Sequence, residues 1–335
     1  MRGLNEYIDT NIITQNGIVS ISNVHIGDKV YDFHTGKMLE VKDVIESTCT
    51  DIMQVLYSDG RKEFKLHDDV LYEGRKELRP LEFNPDKVKD LLYPDPNVAG
   101  VLLIYGDYNS KEIKLPMDMD EINNLFAHNY NLDYGVITNR NTVNFSFNHS
   151  PSNKFITWDE FFPHYDFYAK SKKITSPAIP NEYMYSSIKD RIQFIRGIFD
   201  VGYNKKRFPD SIGIEHWNEE RLLLVQKMLW SLGVPSIVEY NPVYIDDDNM
   251  VREYQYNRKY HLKILGDKNT YPGFFYDINN LEYIIGKDSW ERKLNPQWIF
   301  KVVDCRHYCH GYMKNITLEK PAWYYTADYL PRLSL

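Results

Sequence analysis

Cysteine is scarce in this chain. Its 335 residues carry three, Cys49, Cys305 and Cys309. So odd and sparse a set excludes a disulfide framework and fits a reducing compartment. Long apolar runs are missing too. No stretch of about eighteen apolar residues occurs, so no membrane-spanning helix is expected. The opening residues, Met1-Arg-Gly-Leu-Asn-Glu-Tyr-Ile-Asp9, lack the apolar core of a signal peptide. The expectation is a cytoplasmic protein, cellular or virus-encoded, with no membrane partner. Low-complexity tracts are absent. Positive charge is not in excess: 40 Lys and Arg face 47 Asp and Glu, a formal net charge of −7. A dedicated nucleic-acid binder usually shows a basic face. Here such a function needs a local basic surface on an acidic body.

What is present is an ordinary globular composition, 43% hydrophobic and 26% charged. The length suits two or three domains with real cores. Tyrosine is abundant, with 27 residues. Tyrosine favours half-buried strands, and stacking on nucleic-acid bases is the second use for it.

Short strands and turns are expected from residue 5 to about 80. Asn11-Ile-Ile-Thr, then Asn16-Gly17, then Ile18-Val-Ser-Ile-Ser reads as strand, tight turn, strand. After a turn, His25-Ile-Gly-Asp-Lys-Val-Tyr-Asp-Phe33 reads as another strand. Met53 to Phe64 reads as a hairpin with Asp59-Gly60 at its tip. The middle of the chain changes character. Val98-Ala-Gly-Val-Leu-Leu-Ile-Tyr-Gly-Asp107 is an apolar helix candidate ending at an acid. Further helices are expected from Asp120 to about His128 and from Thr157, with strands at 112–117, 134–138 and 142–147. After prolines 177 and 180 a similar order returns: helix 187–201, strand 211–215, helix 218–232, then strands near 236–240 and 260–264. Gly233 and Pro235 are a good helix stop.

Arg191-Ile-Gln-Phe-Ile-Arg-Gly-Ile-Phe-Asp-Val-Gly-Tyr203 resembles the second signature helix of a LAGLIDADG homing endonuclease of the intein-associated kind. Such helices read roughly Phe-Leu-Arg-Gly-Leu-Phe-Asp-Ala-Asp-Gly, and the last Asp is the metal-binding catalytic acid. Here Asp200 takes the earlier, non-catalytic Asp, Gly202 the catalytic one and Tyr203 the closing Gly. The two ends of the chain resemble a Hint domain, the protein-splicing fold of inteins. That likeness rests on Asp9-Thr10 to Gly17, Ile26-Gly-Asp-Lys-Val30, the hairpin ending near His67, and the closing segments Tyr312 to Pro321 and Tyr324 to Leu330.

The resemblance implies an α+β chain. A discontinuous all-β Hint-like module, 1–93 and 291–335, would enclose an inserted pseudo-twofold αββαββα domain with repeats 94–180 and 181–290. It implies a monomer with internal pseudo-symmetry and double-stranded DNA as partner. In such enzymes two helices pack side by side through small residues, and each delivers an acid to a shared site where divalent metal assists phosphodiester hydrolysis. Mg²⁺ is the implied cofactor, because it prefers hard oxygen ligands. Asp107 is then the surviving catalytic acid, with the carbonyls of Gly106 and Gly202 completing a weakened metal site. Gly197 is the helix-crossing residue. Aligning the first helix on Asp107 puts Leu102 at the crossing, with Gly100 two residues early, and Gly202→Asp is expected to restore the second ligand. Lys263 falls where the family places a lysine near the scissile phosphate. Arg252, Arg258 and Lys259 are candidate contacts to the DNA backbone. A solvated hairpin explains the same basic residues without DNA.

Splicing looks lost. The nucleophile position falls at Asn5. In the Thr-x-x-His element His67 is kept while Phe64 replaces Thr. Leu333 and Ser334 stand where His-Asn is expected. Cys305-Arg-His-Tyr-Cys309-His310 invites a zinc reading, but C-x-H-x-C-H is not a closed zinc spacing, and a buried strand explains it better. Two functions remain: a DNA-binding endonuclease-like protein with doubtful cleavage, or a non-catalytic structural or protein-interaction protein built on the same fold.

Overall fold

The computed structural model describes residues 6–7, 10–83, 92–93, 96–107, 112–114, 135–138, 142–145, 154–155, 164–165, 174–175, 177–202, 212–241, 243–245, 251–253, 259–265, 276–277, 282–283 and 297–334. The elements used below are β1 (Asn11–Thr14), β2 (Gly17–Ser20), β3 (Lys29–Tyr31), β4 (Met38–Tyr57), β5 (Lys62–Leu66), β6 (Glu73–Glu77), α1 (Pro96–Tyr105), α2 (Ile188–Gly202), β7 (Ile212–His216), α3 (Glu219–Ser231), β8 (Ser236–Asn241), β9 (Lys259–Ile264), β10 (Gln297–Leu318), β11 (Trp323–Tyr325) and β12 (Pro331–Leu333). They fall into two compact units. The first joins Met1–Leu81, Gly233–Pro235 and Leu294–Leu335; the second joins Glu82–Leu232 and Ser236–Lys293.

The first unit is all β and draws on both ends of the sequence. Its spine is the antiparallel pair of long strands β4 and β10, which runs from Val41 opposite Leu318 to Tyr57 opposite Val302. Register shifts interrupt the ladder, one of them between His307 and Cys309. Such bulges bend and twist a strand, so one strand serves two packing regions. One region is the cluster of Ile12, Ile21, Val24, Val30, Leu39, Val41, Ile316, Leu318, Ala322 and Tyr324. The other is the cluster of Val55, Tyr57, Leu78, Phe300 and Leu330. The expected β1–β2 hairpin is present, with Thr14 opposite Gly17 and Gly17 at φ 94°. The β4–β5 hairpin turns at Gly60, φ 86°. Both turns need a positive φ that glycine adopts without a Cβ penalty. The strand expected over 25–33 is shorter, three residues of β3, because His25 to Asp28 form a turn closed by the Asp28 carboxylate on the His25 N–H (2.9 Å).

Charge is buried where the closing hairpin meets β5. Glu63 receives the Tyr57 hydroxyl and lies 3.3 Å from Lys65 Nζ and 3.4 Å from Arg332 Nη2. Asp59 and Arg61, both fully buried, pair at 3.1 Å. Removing one partner of such a set strands the other away from water. Ser334 is tied in the same way, its N–H to the Ala322 carbonyl at 2.8 Å and its hydroxyl to the Ala322 N–H at 3.1 Å. Leu333 pairs with Trp323 in the β11–β12 ladder.

The second unit mixes helices and antiparallel sheets. α1 opens with Pro96, which suits a first helical turn, and buries every residue from Val98 to Ile104. α2 begins after Ser187, whose hydroxyl accepts from the Asp190 N–H (3.1 Å), while the Glu82 carboxylate accepts from the Ile188 N–H at 3.3 Å. Both satisfy N–H groups that a helix start leaves unpaired. Arg191 anchors this helix from within. It is fully buried, donates to Ser186 and Ser231, and lies 4.8 Å from the Phe83 ring centroid. α3 starts at the Asn218 cap, whose side chain accepts from the Arg221 N–H at 3.1 Å, and Gly233 at φ 72° follows its end, as the sequence predicts. β7, β9 and β8 form a three-stranded sheet in that order. In the earlier part, Gly106–Asp107, Glu112–Lys114, Thr142–Phe145 and Gly135–Thr138 make a four-stranded sheet. The helices expected at 120–128 and from Thr157 lie outside the described residues.

Candidate functional site at the helix seam

α1 and α2 pack closely, and two glycines make that possible. A Cβ on Gly100 would overlap the carbonyl oxygen of Phe194 and stand 3.0 Å from its carbon. A Cβ on Gly197 would overlap the carbonyl oxygen of Asn97 and stand 2.6 Å from its carbon. The arrangement is reciprocal. Each glycine covers the carbonyl three residues before the other glycine, so the helix pair has an approximate twofold axis.

This geometry corrects the register of the first helix. Gly100, not Leu102, is the crossing residue. The sequence alignment was anchored on Asp107 as a helix end, but α1 stops at Tyr105, and Gly106–Asp107 enters a strand with Asp107 opposite Glu112. Five residues beyond Gly100 stands Tyr105, as Gly202 stands five beyond Gly197. These equivalent positions touch. A Cβ on Gly202 would overlap the Tyr105 hydroxyl and come within 3.0 Å of Ile214 Cγ2. The expectation that Gly202→Asp restores a ligand therefore meets an obstacle: the Tyr105 hydroxyl must first move aside. Asp107 is not the equivalent of Gly202, and its side chain lies outside the described residues.

The end of α1 is held by Arg221. Its Nη1 donates to the Ile104 carbonyl at 2.6 Å and its Nη2 to the Gly106 carbonyl at 3.0 Å, and the side chain is buried. The Gly106 carbonyl, expected to face a metal, thus already faces a cation. A guanidinium there repels a divalent ion, which is the physical reason against Gly106 as a ligand. His216 lies alongside. Its Nδ1 accepts from the Asn218 N–H at 2.9 Å, and its ring stands edge-on to Tyr105 with centroids 6.4 Å apart. Burial pushes the His216 pKa down to about 4, with the Arg221 charge acting in the same direction. Burial also holds the Tyr105 hydroxyl protonated, well above the usual phenol range. The described centre thus combines a neutral imidazole whose acceptor nitrogen is occupied, a neutral phenol and a paired guanidinium. These three groups include no anionic ligand, and the Glu215 carboxylate, close enough to act on Tyr105, is paired with Lys259.

The His216 shift has a consequence for stability. Between the unfolded pKa of 6.5 and the folded value of about 4, the unfolded chain binds a proton that the native state refuses. Stability carried by neutral His216 is therefore complete above pH 6.5 and lost as the pH falls toward 4, about 3 kcal/mol in all. Urea melts of wild type and His216→Gln from pH 7.5 to 4.5 check this: the difference between them should be constant above pH 6.5 and change by up to about 1.4 kcal/mol per unit below it, and a flat difference throughout contradicts the assignment.

The sheet beside the seam carries mixed charge. On β9, Leu262 and Ile264 are buried, while Lys259, His261 and Lys263 share the other face. Lys263, expected near a phosphate, pairs with Glu239. Lys259 lies 2.6 Å from Glu215, and His261 lies 3.6 Å from the same carboxylate. Arg252 sits in a short hairpin opposite Tyr244, its side chain outside the described residues, as is all of Arg258. Asn5 also lies outside them. In the first unit Phe64 packs against Tyr308, ring centroids 4.8 Å apart, and the His67 side chain is 69% exposed. The bulge after His307 breaks the alternation that would put Cys305, His307 and Cys309 on one face. Among the described residues no three His, Cys, Asp or Glu side chains are placed to hold a metal. No described helix is long and apolar enough to cross a membrane.

Sequence reasoning missed Gly100 as a crossing residue, and with it Tyr105, His216 and Arg221. The signal for Tyr105 was available: it follows Gly100 by the spacing that separates Gly202 from Gly197. Nothing local marks Arg221 as buried.

No protein-family model matches the chain, and no curated protein matches it. Solved structures do. Its structural neighbours are inteins. The chain is similar to the gp41-1 intein at 21% identity, covering 24% of this chain and 70% of that one with a TM-score of 0.19. It is similar to the MchDnaB-1 intein at 18% identity, covering 22% of this chain and 51% of that one with a TM-score of 0.17. A variant of the gp41-1 intein gives 22% identity, 24% and 69% coverage and a TM-score of 0.19. Likeness at this level assigns no activity.

Proposed function

We propose that this chain is an intein-derived, homing-endonuclease-like protein that contacts double-stranded DNA and no longer cleaves it. The observation that carries the reading is the reciprocal glycine crossing of α1 and α2, the arrangement the resemblance asks of paired signature helices. Loss of cleavage is supported by Tyr105 and Gly202 at the equivalent positions where two acids would stand, and by the Arg221 guanidinium on the helix-end carbonyls. Mg²⁺ then has no role as a resident cofactor, and Asp107 and Lys263 have no catalytic one. Splicing is proposed to be absent as well, because Phe64 stands in the place of the threonine and packs against Tyr308.

A second reading has its own observation. The Glu215–Lys259 and Glu239–Lys263 pairs neutralise the described sheet face, and the whole chain is acidic. A self-paired surface suits a protein partner better than a polyanion, so the alternative is a non-catalytic interaction protein.

The test is one experiment with two readouts. The full chain is incubated with a random duplex library at low salt and with supercoiled plasmid plus Mg²⁺ or Mn²⁺. Duplex should be retained, with a dissociation constant on the order of 10⁻⁴–10⁻⁶ M or tighter and steep loss on adding salt. The plasmid should stay supercoiled. Linear product that disappears in Asp107→Asn would return that residue to a catalytic role. Absence of retention would select the protein-partner reading.

A further inference from the structure

We propose that Arg221 is a built-in cation that closes the end of α1, so that the helix seam takes no divalent ion. A helix ends with carbonyls that lack partners within it and with the negative pole of its dipole. A positive group belongs there, and a mobile ion is one way to supply it. In this chain the group is covalent. Arg221 projects from the first turn of α3, where its own N–H is fixed by the Asn218 side chain at 3.1 Å. Its planar fork reaches two carbonyls of the neighbouring helix end at once, Ile104 at 2.6 Å and Gly106 at 3.0 Å. A lysine would bring a point charge without the two-pronged geometry. The guanidinium is charged at every physiological pH, so the closure does not depend on a proton or an ion concentration.

The surroundings agree with a permanent cation. Tyr105 ends the helix, and its hydroxyl occupies the space facing Gly202. His216 is held neutral beside the guanidinium, which spares Arg221 a second positive charge. The Trp217 ring, its centroid 6.0 Å from Arg221 Cζ, adds an aromatic neighbour. That a divalent ion would otherwise belong at this seam rests on the endonuclease-like reading. The guanidinium's hold on the two carbonyls does not.

The test is thermal melting of the full chain in EDTA, in Mg²⁺, in Mn²⁺ and in millimolar methylguanidinium, for wild type, Arg221→Ala, Arg221→Lys and Asp107→Asn. Wild type should melt at the same temperature in EDTA and in either metal. Arg221→Ala should melt about 5–10 °C lower, and methylguanidinium should raise its melting point but not that of wild type. Arg221→Lys should fall between. A metal-dependent rise in wild type that Asp107→Asn removes would overturn the proposal, as would an Arg221→Ala variant that melts like wild type. If Arg221→Ala does not fold, the comparison of wild type with Asp107→Asn in Mn²⁺ decides alone. DNA retention measured in EDTA separates the two ideas: its loss sinks the proposed DNA function and leaves the closed seam standing.

Discussion

Gly197→Ala and Gly100→Ala should each destabilise the second unit by about 3 kcal/mol, lowering its melting temperature by about 6–12 °C for a unit of this size. Alanine normally stabilises a helix relative to glycine by about 0.5–1 kcal/mol, so a surface glycine would give the opposite sign. Here the added methyl meets backbone. At Gly197 it lands 2.6 Å from the Asn97 carbonyl carbon and 2.9 Å from its Cα, and at Gly100 3.1 Å from Ile198 Cγ1 as well as onto the Phe194 carbonyl. A flexible side chain would swing away, but a helical carbonyl cannot move without its helix. The two axes must separate, which loosens contacts along the seam, where Val98, Val101, Phe194 and Ile198 are buried. Lys189→Ala, an exposed change on the same helix, serves as the control and should shift melting little. Chemical denaturation followed by tryptophan fluorescence, to which Trp217 and Trp230 of this unit contribute, reads the effect.

What could be read from the sequence was local. The cap at Asn218, the stop at Gly233 and Pro235, the Gly17 turn and the Gly60 turn are each decided by residues within a few positions of each other. The strands of the β unit were legible in their period of two, while the joining of the two ends of the chain into one module came only from the resemblance to a Hint domain. Among the described residues of the middle of the chain, the helices at 96–105, 188–202 and 219–231 and the strands at 212–216, 236–241 and 259–264 fall where they were expected. The register of α1 was not legible. It depends on which carbonyl of α2 lies opposite which residue, a tertiary fact, and anchoring on Asp107 assumed that the helix reached it. Arg221 was invisible for a related reason. In Asn218-Glu-Glu-Arg221 a charged first turn looks solvated, and its burial comes from the end of a helix more than a hundred residues earlier. Lys263 and Lys259 looked available because their partners Glu239 and Glu215 sit on other strands. The complementarity of Tyr105 and Gly202 is likewise a volume shared across two helices. A one-dimensional alignment recorded the missing acid at 202 and not the phenol that fills its place.

The largest consequence concerns that shared volume. Gly202→Asp should cost about 1–3 kcal/mol, since its Cβ meets the Tyr105 hydroxyl and Ile214 Cγ2, and the phenol or the helix must shift to admit the carboxylate. It should confer no metal-dependent cleavage by itself. The central claim is that residues 105 and 202 are equivalent partners across a twofold helix seam, one filling the space the other leaves. The most direct measurement of it is a double-mutant cycle with Gly202→Ala and Tyr105→Ala, read as unfolding free energy. Gly202→Ala alone should destabilise because its methyl meets the Tyr105 hydroxyl, and Tyr105→Ala alone because it opens a cavity. Combined, they should be less harmful than the sum by about 1–3 kcal/mol, the range expected for residues in contact. A cycle that closes additively would contradict the shared seam and the filled centre built on it.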